Sequence, residues 1–245
     1  MESVHPITLV HANGSIDVPA RALVVAVDDT GNETFPATHR CFGLGGCAFL
    51  AKNYGALIAD PWLALKRSHF NPDAGLHAAS LRAPSEAQMS AIGEFFEANQ
   101  FIRFALTVAD TVDNPEKFDP AQLICGLLLQ RIADMANLTQ LTQVFVILES
   151  SERLNAKLLW SLVGSTISDG NKQSPIQVCH LSKQVNSPML EVADFVIHAA
   201  GGQLRRRLRG NPFPLRKDFD SVFRKVPQEL VHLNELFSVK QTSGP

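Results

Sequence analysis

Cysteine is scarce in this sequence, and its few positions follow no recognisable pattern. The cysteines are Cys41, Cys47, Cys125 and Cys179. No two of them have the C-x-x-C spacing of a zinc site, and four cysteines in 245 residues are too few for a disulfide scaffold. We therefore expect reduced thiols in the core of a cytoplasmic protein.

The sequence also contains no segment with the pattern of an export signal or a membrane-spanning helix. Residues 1–6 do not combine a basic region with an apolar one, so no secretory signal is predicted. The longest apolar helix candidate, residues 123–138, is interrupted by Gln130, Arg131 and Asp134 and is shorter than the ~20 apolar residues that span a bilayer. The sequence thus predicts no membrane partner.

Neither sign of charge is in large excess. The formal net charge of −2 gives no global electrostatic reason to expect nucleic acid as a partner. A local exception is the run at residues 205–209, RRRLR, which is followed by Arg216 and Lys217. Such a run is typical either of a solvated helix end, where cations are favourable near the helix dipole, or of a phosphate-binding surface.

What the sequence does contain is the composition of an ordinary globular protein. Apolar residues make up 45% and charged residues 19% of the chain, and no repeat, linker or low-complexity tract is visible. A length of 245 residues is compatible with one α/β domain. We expect a single domain over residues 22–210, with an N-terminal extension at 1–21 and a C-terminal extension at 211–245.

The apolar pattern predicts strands and helices in alternation. Residues 22–27, ALVVAV, form a continuous apolar run rich in β-branched side chains, which is typical of a strand covered on both faces. A hairpin followed by strand and helix units predicts an α/β fold, with a mixed sheet that has antiparallel strands at one edge and helices on both faces. Further strands are predicted at 41–50, 101–108, 144–148 and 176–181, and helices after Ser85, Asp119, Ser151 and Ser187, with a short helix near 229–237.

Acidic residues follow several of the predicted strands. Asp28 and Asp29 lie in a turn after the first strand, Asp110 follows the third strand, Glu149 follows the fourth, and Asp194 lies in a late helix. Because ligands bind beyond the carboxyl ends of parallel strands, we expect these carboxylates to converge. Clustered carboxylates repel one another unless a cation lies among them, and Mg²⁺ or Mn²⁺ suits hard oxygen ligands. The predicted chemistry is metal-dependent hydrolysis of a phosphodiester.

Residue type alone also allows a structural interpretation of these acids. Asp28-Asp29-Thr30-Gly31 is a common turn sequence, since Asp accepts backbone hydrogen bonds and Gly adopts positive φ. Asp194 shares a helix face with Glu191 and His198, and this polar stripe is either the solvent side of the helix or the wall of a site.

Four segments, taken in chain order, resemble the DUF3800 family. The family pattern is Asp-Glu-Ser-Gly after the first strand, His-x-x-x-Leu before the first long helix, an acid at the end of a later strand, and Leu-Gln-x-Ala-Asp in a late helix. The matching segments are VDDTGN at 27–32, LHAASL at 76–81, VILE at 146–149 and SPMLEVADF at 187–195. The resemblance extends over residues 22–207.

This resemblance implies an RNase H-like fold with an acidic Mg²⁺ or Mn²⁺ site and a nuclease or phosphodiesterase activity. It matches Asp28, Glu149 and Asp194 to the family's acids and His77 to its histidine. Two positions depart from the pattern, because Asp29 stands where the family usually has Glu and Glu149 where it often has Asp. The alternative is therefore a catalytically inactive RNase H-like binding or regulatory module.

Several roles at this site are left open by the residues. Asp110 is a second candidate for the ligand position matched by Glu149. His77 could contact a phosphate, transfer a proton or be structural, and His198 could support Asp194 or lie on the surface. The cations that could hold a nucleic-acid backbone by charge are Lys183, Arg205, Arg206 and Arg207.

A rival interpretation rests on residues 43–48, GLGGCA. They match G-x-G-x-x-A, the dinucleotide-binding fingerprint of oxidoreductases. That fingerprint lies between a strand and a helix, whereas this run itself has the pattern of a strand. A helix starting at Gly45 would favour the oxidoreductase.

Overall fold

The computed structural model describes residues 7–11, 14–34, 41–109, 119–141, 143–149, 166–169, 172–181, 186–209 and 215–237. Its strands are β1 (Ile7–His11), β2 (Gly14–Val18), β3 (Leu23–Gly31), β4 (Cys41–Leu50), β5 (Ile102–Ala109), β6 (Val144–Glu149), β7 (Thr166–Asp169), β8 (Lys172–Leu181) and β9 (Val231–Phe237). Its α-helices are α1 (Asp60–His69), α2 (Glu86–Ala98), α3 (Pro120–Thr139), α4 (Pro188–Arg209) and α5 (Lys217–Ser221). The helix predicted after Ser151 lies outside these residues.

Seven of the described strands form one mixed sheet in the order β7-β8-β6-β3-β4-β5-β9. Strand β4 pairs antiparallel with both β3 and β5, whereas β6 pairs parallel with both β3 and β8. The strands β1 and β2 form a separate antiparallel hairpin. The predicted mixed α/β architecture is confirmed, and it is consistent with an RNase H-like fold.

Alternation along β3 divides the core into two layers. Val24 and Ala26 pack in one layer with side chains of α1, α2 and α4. Val25 and Val27 point to the opposite face and pack with α3. Successive side chains of a strand point to opposite faces of the sheet. Both faces of β3 are apolar because helices cover both of them.

Three helices begin where the sequence predicts, namely α2 after Ser85, α3 after Asp119 and α4 after Ser187. Ser85 and Gln88 form a capping box, in which each side chain accepts from the other residue's backbone N–H. Asp119 accepts from the N–H groups of Ala121 and Gln122, with Pro120 at the first helical position. Among the described residues, no helix has the length and apolar character needed to cross a membrane.

The prediction for residues 229–237 is wrong, whereas the predicted strand at 41–50 is confirmed as β4. The short helix near 229–237 is instead strand β9, which pairs parallel with β5. A strand satisfies the unpaired N–H and C=O groups at the edge of β5, which a helix would leave open. Residues 43–48 all lie within β4, so no helix starts at Gly45 and the dinucleotide-binding interpretation is excluded.

The glycines of β4 allow close packing instead. At Gly46 (φ +157°), an added Cβ would lie 2.0 Å from the carbonyl oxygen of Ala26 and 2.9 Å from the Cβ of Ala193. We predict that Gly46→Ala lowers the free energy of unfolding by about 2–3 kcal/mol, because the neighbouring strand and α4 must move. Urea unfolding measures the loss.

A matched control is Gly126→Ala in α3. Nothing lies within 4 Å of an added Cβ there, so alanine should raise the free energy of unfolding by up to about 1 kcal/mol through its helix propensity. Equal effects of the two substitutions would contradict the packing argument.

Candidate functional site

Asp28 lies where β3 extends beyond its parallel neighbour. The pairing of β3 with β6 ends at Val27 and Leu148, but β3 continues beside β4, with Asp28 opposite Gly45. The predicted turn at 28–31 is therefore wrong, because residues 28–31 are part of β3 and pair with residues 42–45 of β4. Asp28 still lies at the carboxyl edge of the two parallel strands, which is where ligand sites of α/β sheets occur.

The strand conformation separates the two adjacent aspartates. Asp28 follows the alternation of Val24 and Ala26 and points to the α4 face, whereas Asp29 follows Val25 and Val27 to the α3 face. The backbone N–H of Asp29 donates to Oδ1 of Asp28 at 2.8 Å. The structure therefore brings the amide of Asp29 to the site and directs its side chain to the other face of the sheet.

Three predicted acids meet on the α4 face. Asp28 and Glu149 line one cleft together with His77 and residues at the start of α4. Asp194 on α4 is 5% exposed and lies close enough to Asp28 for its charge to raise the pKa of the Asp28 carboxyl. Strands β3 and β6 and helix α4 thus deliver one carboxylate each, from positions 28, 149 and 194.

Burial and the charge of neighbouring acids disfavour the ionised forms of Asp28 and Asp194. Burial raises the pKa of Asp28 well above its ordinary value, and the carboxylate of Asp194 raises it further. Burial also raises the pKa of Asp194 to about 6, with a further upward contribution from Glu149 and opposing effects from the Ala78 N–H and His77. A cation among them would favour the ionised forms of both acids.

The chemistry of these donors fits a hard divalent cation. Two aspartates and a glutamate supply the oxygen ligands that Mg²⁺ and Mn²⁺ prefer. Within the described ranges, however, no three His, Cys, Asp or Glu side chains are already arranged around a position that could hold a metal ion. Asp110, the other predicted ligand, lies outside those ranges.

The loop before α2 is attached to α4 through two carboxylates. The Ala78 N–H donates to Oδ2 of Asp194 at 2.6 Å, and the Leu76 N–H donates to Oε1 of Glu191 at 3.0 Å. Between them, His77 places Nδ1 3.8 Å from Oδ2 of Asp194, with 39% of its side chain exposed. His77 thus lies at the mouth of the cleft.

The polar stripe on α4 is buried rather than exposed. Glu191 is 3% exposed and accepts from Nε1 of Trp62 at 2.6 Å and from Nζ of Lys66 at 2.8 Å. The solvent-side interpretation of this stripe is therefore wrong, and Glu191 is one of the residues that line the cleft. Trp62 and Lys66 were not among the predicted site residues. Their spacing of four residues places them on one face of α1, but no local pattern in the sequence connects that face with Glu191.

His198 lies between Asp194 and β3. Its Nε2 is 3.2 Å from Oδ1 of Asp194, and its Nδ1 is 3.3 Å from Oγ1 of Thr30. Burial, together with the positive charges of Arg205 and Arg216, lowers the pKa of His198 to about 4. The imidazole is therefore neutral at neutral pH.

The predicted nucleic-acid-binding cations have different surroundings. Arg205 points towards β3, with Nη1 3.4 Å from Oγ1 of Thr30 and 3.8 Å from Sγ of Cys41. Arg207 pairs with Glu235 on β9, and Arg206 is exposed. Lys183 lies outside the described residues. Of these three arginines, Arg205 is thus half-buried against β3, whereas Arg206 and Arg207 are exposed.

Comparisons of the chain with protein-family models, with curated proteins and with solved structures find no match. The resemblance to the DUF3800 family therefore stays a prediction. The positions of Asp28, Glu149 and Asp194 on one face of the sheet are independent of that resemblance.

Proposed function

We propose that the chain is a metal-dependent nuclease or phosphodiesterase in which Asp28, Glu149 and Asp194 hold Mg²⁺ or Mn²⁺. The observation that carries this proposal is the convergence of the three acids from β3, β6 and α4 beside one cleft. Buried carboxylates that repel one another destabilise a fold, and such groups concentrate at functional sites. A purely structural cluster would have been more stable with neutral residues.

The metal ion and the residues around it would have different roles in hydrolysis. When bound, the metal ion supplies a Lewis acid that polarises a phosphodiester and lowers the pKa of a bound water. The Ala78 N–H keeps Asp194 oriented towards Asp28, and His77 at the mouth of the cleft could donate a hydrogen bond or a proton to a phosphate oxygen.

A nucleic-acid substrate is part of the proposal. The exposed side chains of Arg206 and Arg207 lie near the end of α4, where they could attract a phosphate backbone by charge. A cytoplasmic location, predicted from the sequence pattern, also belongs to the proposal.

The test of the metal site is a calorimetric titration with Mn²⁺ at millimolar concentration. We expect binding to the wild-type chain and a loss of binding in Asp194→Asn. Because Asp194 has a pKa of about 6 and the ion displaces its proton, the affinity should rise from about pH 5 to about pH 7. Hydrolysis of single-stranded DNA, duplex DNA and RNA in Mn²⁺ identifies the substrate.

The inactive binding module is the second candidate. The arrangement of the described side chains favours it, because no three potential ligands are preorganised around one metal position among them. An absence of Mn²⁺ binding and of hydrolysis, with retained binding of nucleic acid, would support the module and contradict the nuclease.

A further inference from the structure

Four residues of α4 form a stripe that faces β3. Asp194, His198, Gly201 and Arg205 are spaced by four, three and four residues, so they share one face of the helix. The facing residue of β3 is Thr30, which is 2% exposed and contacts this stripe. The stripe therefore lies against β3, with Asp194 and Gly201 buried and His198 and Arg205 half-buried.

The close approach of α4 to β3 depends on Gly201. An added Cβ at this position would lie 2.8 Å from Cγ2 and 2.9 Å from Oγ1 of Thr30, and 3.2 Å from Nη1 of Arg205. The absence of a side chain therefore allows the hydroxyl of Thr30 to reach both His198 and Arg205.

Polar atoms form a continuous chain along this contact. Nη1 of Arg205 is 3.4 Å from Oγ1 of Thr30, which is 3.3 Å from Nδ1 of His198. On the other side of the imidazole ring, Nε2 is 3.2 Å from Oδ1 of Asp194. Four side chains thus connect a guanidinium group to a carboxylate of the candidate site.

The donor chemistry of arginine gives this chain a direction. A guanidinium group only donates, so Oγ1 of Thr30 accepts from Arg205 and keeps its own proton for Nδ1 of His198. An imidazole that accepts at Nδ1 carries its proton on Nε2, which faces the Asp194 carboxylate. The opposite tautomer would place the lone pair of Nε2 against a carboxylate oxygen.

We propose that Arg205, Thr30 and His198 form a hydrogen-bond relay that holds His198 as its Nε2–H tautomer and thereby positions Asp194. These residues are positioning residues, since none of them has to touch a substrate. The inference rests on the proposed function only for the role of Asp194. It gives Arg205 a role within the protein in place of the predicted contact with nucleic acid.

The tautomer is measured by two-bond ¹H–¹⁵N correlation spectra of the ¹⁵N-histidine-labelled chain at about pH 7, with the signals of His198 assigned from His198→Gln. We expect the Nε2–H pattern in the wild type and in Thr30→Ser, which keeps the hydroxyl group. Thr30→Val keeps the shape but removes the hydroxyl, so we expect a mixture of both tautomers. The relay would be overturned if the wild type has the Nδ1–H tautomer or an imidazolium. An unchanged pattern in Thr30→Val would also overturn it.

Binding of Mn²⁺ gives a second readout. We expect Thr30→Val to weaken binding by roughly 10- to 100-fold, the usual effect of losing a residue that orients a ligand, and Thr30→Ser to bind like the wild type. If the wild type binds no Mn²⁺, the proposed function fails, but the spectra still decide the relay.

Arg205→Met provides a separate test and replaces Thr30→Val if that variant does not fold. The relay predicts a mixture of His198 tautomers in this variant and, where hydrolysis is measurable, a lower kcat with little change in KM. Two results would overturn the relay. One is a wild-type tautomer in Arg205→Met. The other is a raised KM together with a salt dependence of nucleic-acid binding that is weaker by about one unit of slope, which would identify Arg205 as a phosphate contact.

Discussion

Asp28→Asn is expected to abolish hydrolysis and, at the same time, to stabilise the metal-free protein. Asparagine has nearly the same shape, and its Oδ1 can still accept the Asp29 N–H that donates to Asp28 at 2.8 Å. Without the carboxylate, the site loses a metal ligand, and we expect the rate to fall by at least about 10³-fold, which corresponds to several kcal/mol of transition-state stabilisation.

The gain in stability follows from the raised pKa values. Burial and the neighbouring acid raise the pKa of Asp28, so its ionisation above that pKa destabilises the folded state. Removing the ionisable group should raise the free energy of unfolding of the metal-free chain by about 1–3 kcal/mol at about pH 8. The experiment is urea unfolding in the presence of a chelator.

The pH dependence of stability provides an independent check that the pKa values of these carboxyls are raised in the folded state. A carboxyl with a raised folded-state pKa contributes stability that is fully present below its unfolded pKa, about 4, and is lost as the pH rises through the folded value. For Asp194 that folded value is about 6. The metal-free wild type should therefore lose stability between about pH 4 and about pH 6, with further loss as Asp28 ionises, and Asp28→Asn should lose less.

The matched control is Asp29→Asn. The side chain of Asp29 points to the α3 face, so we expect its replacement to change the rate by less than about tenfold. Hydrolysis by Asp28→Asn at the wild-type rate, or equal losses in the two variants, would contradict the assignment of the site to the α4 face.

Much of the fold is encoded locally and could be predicted. The run from Val24 to Val27 has apolar residues at every position because helices cover both faces of β3. Ser85 and Asp119 predicted helix starts because their side chains satisfy N–H groups within the next three residues. Strand β9 could not be predicted in this way, because its partner is β5, more than one hundred residues earlier in the chain.

The candidate site was predictable only in part. Asp28 and Glu149 could be placed together because both follow apolar runs that end at the same edge of a parallel pair. Asp29 could not be separated from Asp28, because that separation depends on β4 extending the strand beyond Val27. The burial of Lys66 was not predictable either, since its partner Glu191 is 125 residues away in the sequence.

Lys66→Met is expected to cause a large loss of stability. Nζ of Lys66 donates to Oε1 of Glu191 at 2.8 Å, and the two side chains are 1% and 3% exposed. Among the described residues, methionine would leave the buried Glu191 carboxylate with the Trp62 Nε1–H and the Leu76 N–H as its hydrogen-bond donors. Removing one member of a buried ion pair typically costs about 3–5 kcal/mol, and urea unfolding should show a loss of this size.

A double-mutant cycle separates the ion pair from the packing of the two side chains. Glu191→Gln alone leaves the Lys66 cation buried, whereas Lys66→Met with Glu191→Gln removes both charges. We expect the double variant to lose about 2–3 kcal/mol less than the sum of the single losses. The exposed Lys52 is the control, and Lys52→Met should stay within about 0.5 kcal/mol of the wild type.

The same substitution connects stability with the site. Glu191 accepts from the Leu76 N–H, and Leu76 lies two residues before Ala78, whose N–H orients Asp194. If Glu191 shifts towards solvent when its cation is removed, Ala78 moves with the loop, so folded Lys66→Met should also bind Mn²⁺ more weakly than the wild type. Unchanged stability together with unchanged Mn²⁺ binding would show that this buried pair supports neither the fold nor Asp194.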